Sequence, residues 1–276
     1  MRRRLDAELV RRGLVDSRTE AQRLIADGAV LVSGSVADKP ARQVDSGEPV
    51  VVVAEGPRYV GRGGQKLEAA LDAFGIDVDG VTAVDAGAST GGFTDCLLQR
   101  GAARVVAVDV GRNQLHERLR ADQRVTSLER TDIRTLGPDA VGGPVSLVVA
   151  DLSFISLTSV AGHLVSLLDD GGALVALVKP QFEAGRVEVS RGKGVITDPE
   201  IWRRALLDVG AALAGAGAPM MGIVPSPIRG AEGNVEFLAL ARSGARAEPA
   251  ADLAGLVDTA LELVDAGATR PHGATS

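Results

Sequence analysis

Short apolar runs that alternate with helix-sized segments constrain the fold of this chain more than any other feature of its sequence. Seven such runs, each of strand length, occupy residues 82–85, 104–109, 125–129, 146–151, 173–179, 220–224 and 235–241. Strands that alternate with helices are typical of a largely parallel sheet covered by helices on both faces. The sequence therefore predicts an α/β fold with a seven-stranded, mostly parallel sheet, whose last strand returns antiparallel.

The first sixty residues follow a different pattern, with two short helices and a small β-element. Leu5, Leu9 and Leu14 recur at near-helical spacing, and Ser17 with Glu20 predicts a capping box at the start of a second helix. Valines between glycines then indicate short strands. We therefore predict a small α+β domain at residues 1–56, a linker at 57–63, a larger domain at 64–268 and a tail at 269–276.

Charge is distributed unevenly along the chain. The net charge is −6, but residues 1–24 carry seven arginines and four acidic residues, so this segment holds +3. A basic amino-terminal segment followed by an acidic remainder is typical of a protein with a phosphate-binding domain, although a solvated helix face gives the same charge count. The arginines expected to pair with phosphates lie on or beside the two predicted helices: Arg4, Arg11, Arg18 and Arg23.

Composition excludes several classes of protein. The single cysteine, Cys96, cannot form an intramolecular disulfide, and no apolar run approaches the roughly 20 residues that span a bilayer. His116, His163 and His272 are scattered without the spacing of metal ligands, so no metal site is predicted. We expect a cytoplasmic protein without stable membrane association.

The first predicted strand of the larger domain ends in a loop of small residues. The sequence Asp-Ala-Gly-Ala-Ser-Thr-Gly-Gly-Phe occupies residues 85–93, and a helix follows directly. Such a loop lets the backbone approach a ligand, while the helix amino terminus presents its N–H groups. The loop matches neither the dinucleotide fingerprint nor the P-loop. The acid before its first glycine is typical of Rossmann-like S-adenosylmethionine enzymes, and a structural turn without a ligand is the alternative.

Acids after the next two strands complete the predicted cofactor site. Asp109, 24 residues beyond Asp85, is expected to accept hydrogen bonds from the ribose hydroxyls of S-adenosylmethionine. Asp132 follows the third strand and is expected to reach the adenine amino group, or else to serve only the local structure. The predicted cofactor-binding residues are Asp85, Gly87, Ala88, Ser89, Thr90, Gly91, Gly92, Phe93, Asp109 and Asp132.

Four charged residues are predicted to meet at the carboxyl edge of the sheet, where open α/β sheets bind ligands. Asp151 and Lys179 each end a predicted strand, Glu236 lies at the start of the antiparallel strand, and Lys66 opens the helix before the first strand. A ribose 2'-hydroxyl hardly ionises at neutral pH, so its methylation needs a base. We assign that role to Lys179, with Lys66 favouring the neutral amine by like-charge repulsion and the two acids orienting the amines. Taken singly, each residue is more often a solvated surface charge.

The chain resembles the TlyA family, also labelled hemolysin A, over nearly its whole length. The likeness is carried by Ala-Gly-Ala-Ser-Thr-Gly-Gly-Phe at 86–93, Ala-Asp-Leu-Ser-Phe-Ile-Ser at 150–156, Val-Lys-Pro-Gln-Phe-Glu at 178–183 and Gly-Asn-Val-Glu-Phe at 233–237. Amino-terminal matches are found at residues 4–6, 17–18, 21 and 25–28, and at the junction 61–66.

This resemblance implies an S4 RNA-binding domain joined to an FtsJ-like methyltransferase domain. It further implies S-adenosylmethionine-dependent 2'-O-methylation of cytidines in 16S rRNA, 23S rRNA or both, with ribosomal RNA or ribosomal subunits as the partner. Lys66, Asp151, Lys179 and Glu236 then correspond to the Lys-Asp-Lys-Glu set of that superfamily. Folded RNA would be recognised mainly by shape, through a surface with few aromatic residues.

Three other functions compete with this interpretation. An amino-directed base methyltransferase usually carries Asn/Asp-Pro-Pro-aromatic after strand four, where this chain has Asp-Leu-Ser-Phe at 151–154. A carbon-5 base methyltransferase needs a nucleophilic cysteine, whereas Cys96 falls in the helix behind the glycine loop, where a small buried apolar residue is expected. A membrane-lytic protein needs an apolar span or a strongly amphipathic basic helix, and the sequence shows neither. An RNA-binding or assembly factor that keeps only the fold is opposed by the glycine loop and the four charged residues.

Overall fold

The computed structural model describes residues 2–26, 28–37, 39–53, 58–185, 194–244 and 252–268. The chain forms two compact units, Met1–Gly61 and Arg62–Ser276. Residues 54–57, where the first predicted domain meets the linker, and the predicted tail at 269–276 lie outside the described residues. The predicted domain boundaries therefore stay a prediction.

In the amino-terminal unit two helices pack with short antiparallel strands. The helices are α1 (Leu5–Arg11) and α2 (Arg18–Ala26), and the strands are β1 (Arg3–Arg4), β2 (Val30–Val32), β3 (Ser35–Val36), β4 (Gln43–Val44) and β5 (Val50–Val52). Strands β3, β2 and β5 form one antiparallel sheet, and β1 pairs with β4. Leu5, Leu9 and Ile25 are buried in the shared core. The predicted α+β arrangement is confirmed.

The start of α2 shows half of the predicted capping box. The Ser17 hydroxyl oxygen accepts a hydrogen bond from the Glu20 backbone N–H at 3.1 Å. The Glu20 carboxylate accepts from the Asp16 N–H at 3.0 Å, one residue earlier than a full box requires. Both contacts satisfy N–H groups at this helix start, so the helix still begins where the sequence predicts.

A seven-stranded sheet forms the centre of the second unit. Its strands are β6 (Thr82–Ala86), β7 (Arg104–Val108), β8 (Val125–Leu128), β9 (Val145–Ala150), β10 (Leu168–Val178), β11 (Met220–Pro225) and β12 (Phe237–Arg242). Their order is β11-β12-β10-β9-β6-β7-β8. Strands β6 to β10 run parallel to one another, and β12 is antiparallel to both β10 and β11. The predicted mostly parallel sheet with its antiparallel last strand is confirmed.

Helices connect these strands and cover the apolar sheet. They are α3 (Gly63–Phe74), α4 (Gly92–Gln99), α5 (Glu117–Arg120), α6 (Pro138–Val141), α7 (Ala161–Ser166), α8 (Pro180–Glu183), α9 (Pro199–Gly215) and α10 (Leu253–Ala268), with 3₁₀ turns at Ile133–Thr135 and Leu157–Ser159. Helix α9 starts at a proline after Asp198, whose carboxylate accepts the Glu200 N–H at 3.0 Å. Its Trp202 and Leu206 pack in the same core as Leu174 of β10.

Within the described parts of the chain, every helix is too short or too polar to cross a bilayer. The single cysteine, Cys96, is completely buried in α4, as a small apolar residue would be.

One edge of the sheet collects the residues that follow the parallel strands. Ala86 pairs with Val108 and with Ala150, and Val178 pairs with Phe237 at the start of β12. Chain segments that leave β6, β7, β9 and β10, and the segment that enters β12, therefore lie at the same edge. The residues placed there include Gly87, Asp109, Asp151, Lys179 and Glu236.

Candidate active site

The loop after β6 is shaped by close backbone packing. Gly87 has φ +86°, and a Cβ atom there would lie 2.5 Å from the Asp151 carbonyl oxygen. Ser89 also adopts a left-handed backbone, with φ 48°. Because only glycine adopts such conformations without cost and leaves space for a neighbouring backbone, residue 87 has to be glycine. The loop can then turn sharply into α4 at the edge of the sheet.

Two adjoining cavities open beside this loop. The larger has a volume of about 470 Å³ and the smaller about 170 Å³, and both are lined by Gly87, Ser89, Asp151 and Ser153. The predicted cofactor-binding residues that line one or both cavities are Gly87, Ala88, Ser89, Thr90, Gly92, Phe93, Asp109 and Asp132. The wall of the larger cavity also includes Val110, Gln114, Thr131 and residues 152–155, which were not predicted from the sequence as site residues.

Asp85 and Gly91 lie away from both cavities, although the sequence predicts cofactor contacts for them. Asp85 is fully buried, its Oδ2 accepts the Thr94 hydroxyl at 2.6 Å, and its Oδ1 has no hydrogen-bond partner among the described residues. Desolvation raises the pKa of Asp85 to about 7. A side chain at Gly91 would collide with Leu119. Neither residue therefore lines a cavity, and both support the loop from its other side.

The two acids after β7 and β8 are held in different ways. Asp109 accepts backbone N–H groups from Ser89 at 2.8 Å and from Gly111 at 2.7 Å, and it lines the larger cavity. The Asp132 carboxylate caps the first 3₁₀ turn and pairs with Arg134, which lowers the pKa of Asp132 to about 2. Asp109 thus fixes the loop and faces the cavity, whereas the adenine contact of Asp132 stays a prediction.

Lys179 and Asp151 form an ion pair at the wall of the smaller cavity. The Lys179 Nζ lies 2.6 Å from Asp151 Oδ1, at an angle outside hydrogen-bond geometry, and donates a hydrogen bond to Ser153 Oγ at 2.7 Å. Nζ also lies 5.7 Å from the centre of the Phe182 ring. Lys179 is 8% exposed, so its amine is close to the cavity but largely shielded from bulk water.

Lys66 and Glu236 form a second ion pair, which is more deeply enclosed. The Lys66 Nζ donates to Glu236 Oε2 at 2.5 Å, and neither residue lines the two cavities described above. The side chains of Lys66 and Glu236 are 10% and 3% exposed. Gly63, one turn before Lys66 on α3, approaches Asp151, since a Cβ there would lie 3.7 Å from Asp151 Oδ2. The predicted four charges therefore form two pairs near one edge, of which one reaches the cavities.

Phe154 is an exposed aromatic residue on the wall of the larger cavity, and the sequence analysis missed it. The residue is 91% exposed and has φ 65°, which is rare for a bulky side chain. Its ring lies 5.2 Å from that of Phe182. Glu183 holds the same loop by accepting the Ser156 hydroxyl at 2.5 Å and the Leu157 N–H at 2.8 Å. The expected surface with few aromatic residues thus has an exposed aromatic side chain at the site itself.

The basic residues of the amino-terminal unit are organised around two buried acids. Asp6 accepts hydrogen bonds from Arg4, Arg18 and Gln22, and Glu8 accepts from Arg11 and Arg12. The arginine partners lower the pKa of Asp6, and that of Glu8 to about 2. The side chains of Arg4, Arg11 and Arg18 remain 46%, 44% and 56% exposed, and Arg23 is exposed on α2. Phosphate binding by these arginines stays a prediction.

Comparisons with known proteins agree with this architecture. Residues 59–243 match the FtsJ-like methyltransferase family, and residues 3–50 match the S4 domain. The 16S/23S rRNA (cytidine-2'-O)-methyltransferase TlyA of Mycobacterium tuberculosis is 47% identical, over 96% of this chain and 98% of that protein. Hemolysin A of Brachyspira hyodysenteriae is 40% identical, over 86% of this chain and 98% of that protein.

A solved structure supports the same assignment. It is a protein from Streptococcus thermophilus described as a candidate hemolysin, and it is 39% identical with a TM-score of 0.74. The match covers 98% of this chain and 99% of that chain, so both units have counterparts in it. The chain therefore belongs to the FtsJ-like methyltransferase family, in the group with an amino-terminal S4 domain that includes TlyA.

Proposed function

We propose that this chain transfers a methyl group from S-adenosylmethionine to the 2'-hydroxyl of a cytidine in 16S rRNA, 23S rRNA or both. The observation that carries the proposal is the ion pair of Lys179 and Asp151 at the wall of a cavity beside the glycine loop. Methylation of a weakly acidic hydroxyl needs a base next to the methyl donor. The name of the M. tuberculosis relative supports cytidine in ribosomal RNA as the substrate.

The larger cavity is the proposed binding site of S-adenosylmethionine. Its volume of about 470 Å³ lies within the range of roughly 300–1,000 Å³ that is typical of small-molecule sites. The Asp109 oxygens each accept one backbone N–H and have lone pairs left for the ribose hydroxyls of the cofactor. The absence of a side chain at Gly87 lets the backbone approach the ligand. When bound, S-adenosylmethionine would supply an electrophilic methyl group and leave as S-adenosylhomocysteine, whose sulfur keeps the electron pair of the broken carbon–sulfur bond.

Lys179 serves as the base in this proposal. The ammonium group of the ion pair first releases a proton to water, and the neutral amine then takes the proton of the ribose 2'-hydroxyl, so that the O–H bond breaks and an N–H bond forms while the oxygen electron pair becomes available to the methyl carbon. Asp151 then stabilises the resulting ammonium ion, because its Oδ1 lies 2.6 Å from Nζ. The proton passes to water after the product leaves. Low exposure of the pair strengthens this electrostatic interaction relative to bulk water.

Lys66 and Glu236 have a supporting role in the proposed site. Their contact joins α3 to the start of β12 across 170 residues of sequence. Helix α3 brings Gly63 next to Phe93 and Asp151, so the ion pair holds the wall behind the proposed base. Direct contact of Lys66 or Glu236 with the substrate is not part of this proposal.

The S4 unit supplies RNA affinity in this proposal, with ribosomal RNA or a ribosomal subunit of the cytoplasm as the partner. Arg4, Arg11 and Arg18 keep about half of each side chain exposed while their positions are fixed by Asp6 and Glu8. Guanidinium groups held in place lose less entropy when they bind phosphate. Affinity for RNA should therefore fall steeply as the salt concentration rises.

An alkaline hydrolysis experiment tests the proposed function. The chain is incubated with ribosomal RNA and S-adenosylmethionine labelled in its methyl group, and the RNA is then hydrolysed with alkali. Because a 2'-O-methyl group blocks cleavage of its own linkage, the label should appear in alkali-stable dinucleotides that begin with cytidine. Label released in mononucleotides would indicate base methylation, and absence of label despite RNA binding would favour an assembly factor without activity.

A further inference from the structure

Ser153 contacts the proposed base, and neither the sequence analysis nor the comparisons assign it a role. Its Oγ accepts a hydrogen bond from Lys179 Nζ at 2.7 Å. Ser153 lies two residues after Asp151, is exposed, and lines both cavities. The loop after β9 therefore brings two oxygen atoms to one amine, a carboxylate oxygen of Asp151 and the hydroxyl oxygen of Ser153.

The number of acceptors around Lys179 matters for its action as a base. A neutral lysine amine has two N–H bonds and one lone pair, and it can take a proton only along that lone pair. Ser153 Oγ accepts one N–H, whereas Asp151 Oδ1 lies 2.6 Å from Nζ but outside hydrogen-bond geometry. The bond to Ser153 directs one N–H at the loop after β9, so the lone pair lies on another side of the nitrogen.

Asp151 alone does not hold the amine in one orientation. Its Oδ1 contacts Nζ at an angle outside hydrogen-bond geometry, so the directional interaction of Nζ is the one with Ser153. Ion pairs depend on distance more than on direction, whereas hydrogen bonds weaken steeply away from linearity. Ser153 is thus the group that limits rotation of the Lys179 amine about its last carbon–nitrogen bond.

We infer that Ser153 is a positioning residue, which directs the lone pair of Lys179 toward the ribose hydroxyl. This inference rests on the proposed function and adds a residue to it. Ser153 acts through Lys179 and neither forms nor breaks a covalent bond. Its loss should therefore slow the methyl-transfer step far more than it weakens binding of the cofactor or the RNA.

Substitution at position 153 tests the inference by separating kcat from KM. Ser153→Ala should lower kcat by about 10-fold, because one hydrogen bond to the base is lost, and should leave the RNA KM and the cofactor Kd within about twofold. Ser153→Thr keeps the hydroxyl and should recover kcat to within about threefold of the unchanged chain. Ser166→Ala, an exposed serine on α7, is the matched control and should behave like the unchanged chain.

Several outcomes would overturn the inference. They are an unchanged kcat in Ser153→Ala, a raised RNA KM with normal kcat, or a Ser153→Thr variant as slow as Ser153→Ala. A crystal structure of Ser153→Ala gives a test that does not depend on activity. Nζ should leave its position or occupy several, while Asp151 stays in place; an unmoved Nζ would refute the positioning role even if the chain methylated a different atom.

Discussion

The two lysine–carboxylate pairs of the methyltransferase unit use the same chemical groups in different surroundings. Both lysine side chains are 10% exposed, but the Asp151 side chain is 23% exposed and lines both cavities, whereas that of Glu236 is 3% exposed and lines neither. A pair that reaches a cavity can exchange a proton with a ligand. An enclosed pair holds its two elements together without lining either cavity, so burial separates the proposed chemical role from the proposed structural one.

Replacing Lys179, in the pair that lines the smaller cavity, should have a larger effect on kcat than any other substitution. Lys179→Ala removes the proposed base, and general-base catalysis contributes about 10²–10⁴-fold, so kcat should fall by about 10³-fold. The cofactor Kd, measured by calorimetry, should stay within about threefold, because Lys179 lies at the wall of the smaller cavity and not the larger one. Lys179→Met, which fills similar space, is the control for packing and should be equally inactive. Substantial turnover in either variant would remove Lys179 from the mechanism.

Replacing the two acids should separate the pairs by stability. Glu236→Ala leaves the Lys66 charge enclosed without its carboxylate, and breaking a buried pair should cost about 3 kcal/mol of unfolding free energy. Asp151→Ala should cost about 1 kcal/mol, because its side chain is partly exposed and Lys179 keeps its bond to Ser153. Urea unfolding of both variants measures the difference. Equal losses would show that the two pairs do not differ as burial indicates.

Asp85 differs from both pairs, because it is a buried carboxylate that has no paired cation among the residues described by the structure. Its pKa is raised to about 7 in the folded chain from an ordinary value near 3.8, so between these pH values the native state holds a proton that the unfolded state has lost. Stability should therefore decline as the pH rises, by about 2 kcal/mol between pH 5 and 7. In Asp85→Asn this contribution should disappear and the pH dependence should become flatter by the same amount. An identical slope in both proteins, from unfolding curves at each pH, would contradict a raised pKa.

Replacing Phe154, the exposed residue on the wall of the larger cavity, should have a small effect on RNA binding. Stacking of a base on an aromatic side chain contributes about 1–3 kcal/mol, and for one exposed ring we expect the lower end. Phe154→Ala should then raise the RNA KM by about fivefold with little change in the cofactor Kd, and Phe154→Trp should restore it. If kcat falls instead while KM stays the same, Phe154 supports the loop of Ser153 and does not contact RNA.

Much of the sheet edge could be predicted from the sequence, because parallel strands place their carboxyl ends together. Asp151 and Lys179 follow apolar runs that could only be buried strands, and Glu236 precedes a strand expected to return antiparallel. Strand type and direction therefore located these side chains without knowledge of any contact. The pairing of each lysine with one acid needed the structure, since the sequence does not show which groups share a distance of about 3 Å.

Other features could not be read from the sequence, for distinct physical reasons. Which residues of a glycine loop face inward depends on individual φ angles, so Asp85 and Gly91 could not be separated from Ser89. The charge count of +3 treats each arginine as independent, whereas Arg4 and Arg18 share the buried Asp6. Phe154 lies between Ser153 and Ile155, and the sequence shows neither its positive φ angle nor its high exposure.

A crystal structure with bound S-adenosylhomocysteine would locate the cofactor relative to the Lys179 pair. We expect the ribose at Asp109 and the sulfur within about 6 Å of Lys179 Nζ, since a methyl group and a hydroxyl must fit between them at contacts of about 3 Å. Lys66 and Glu236 should stay paired without touching the ligand. A sulfur atom directed away from Lys179, or a ligand bound outside the cavity of Gly87 and Asp109, would contradict the account.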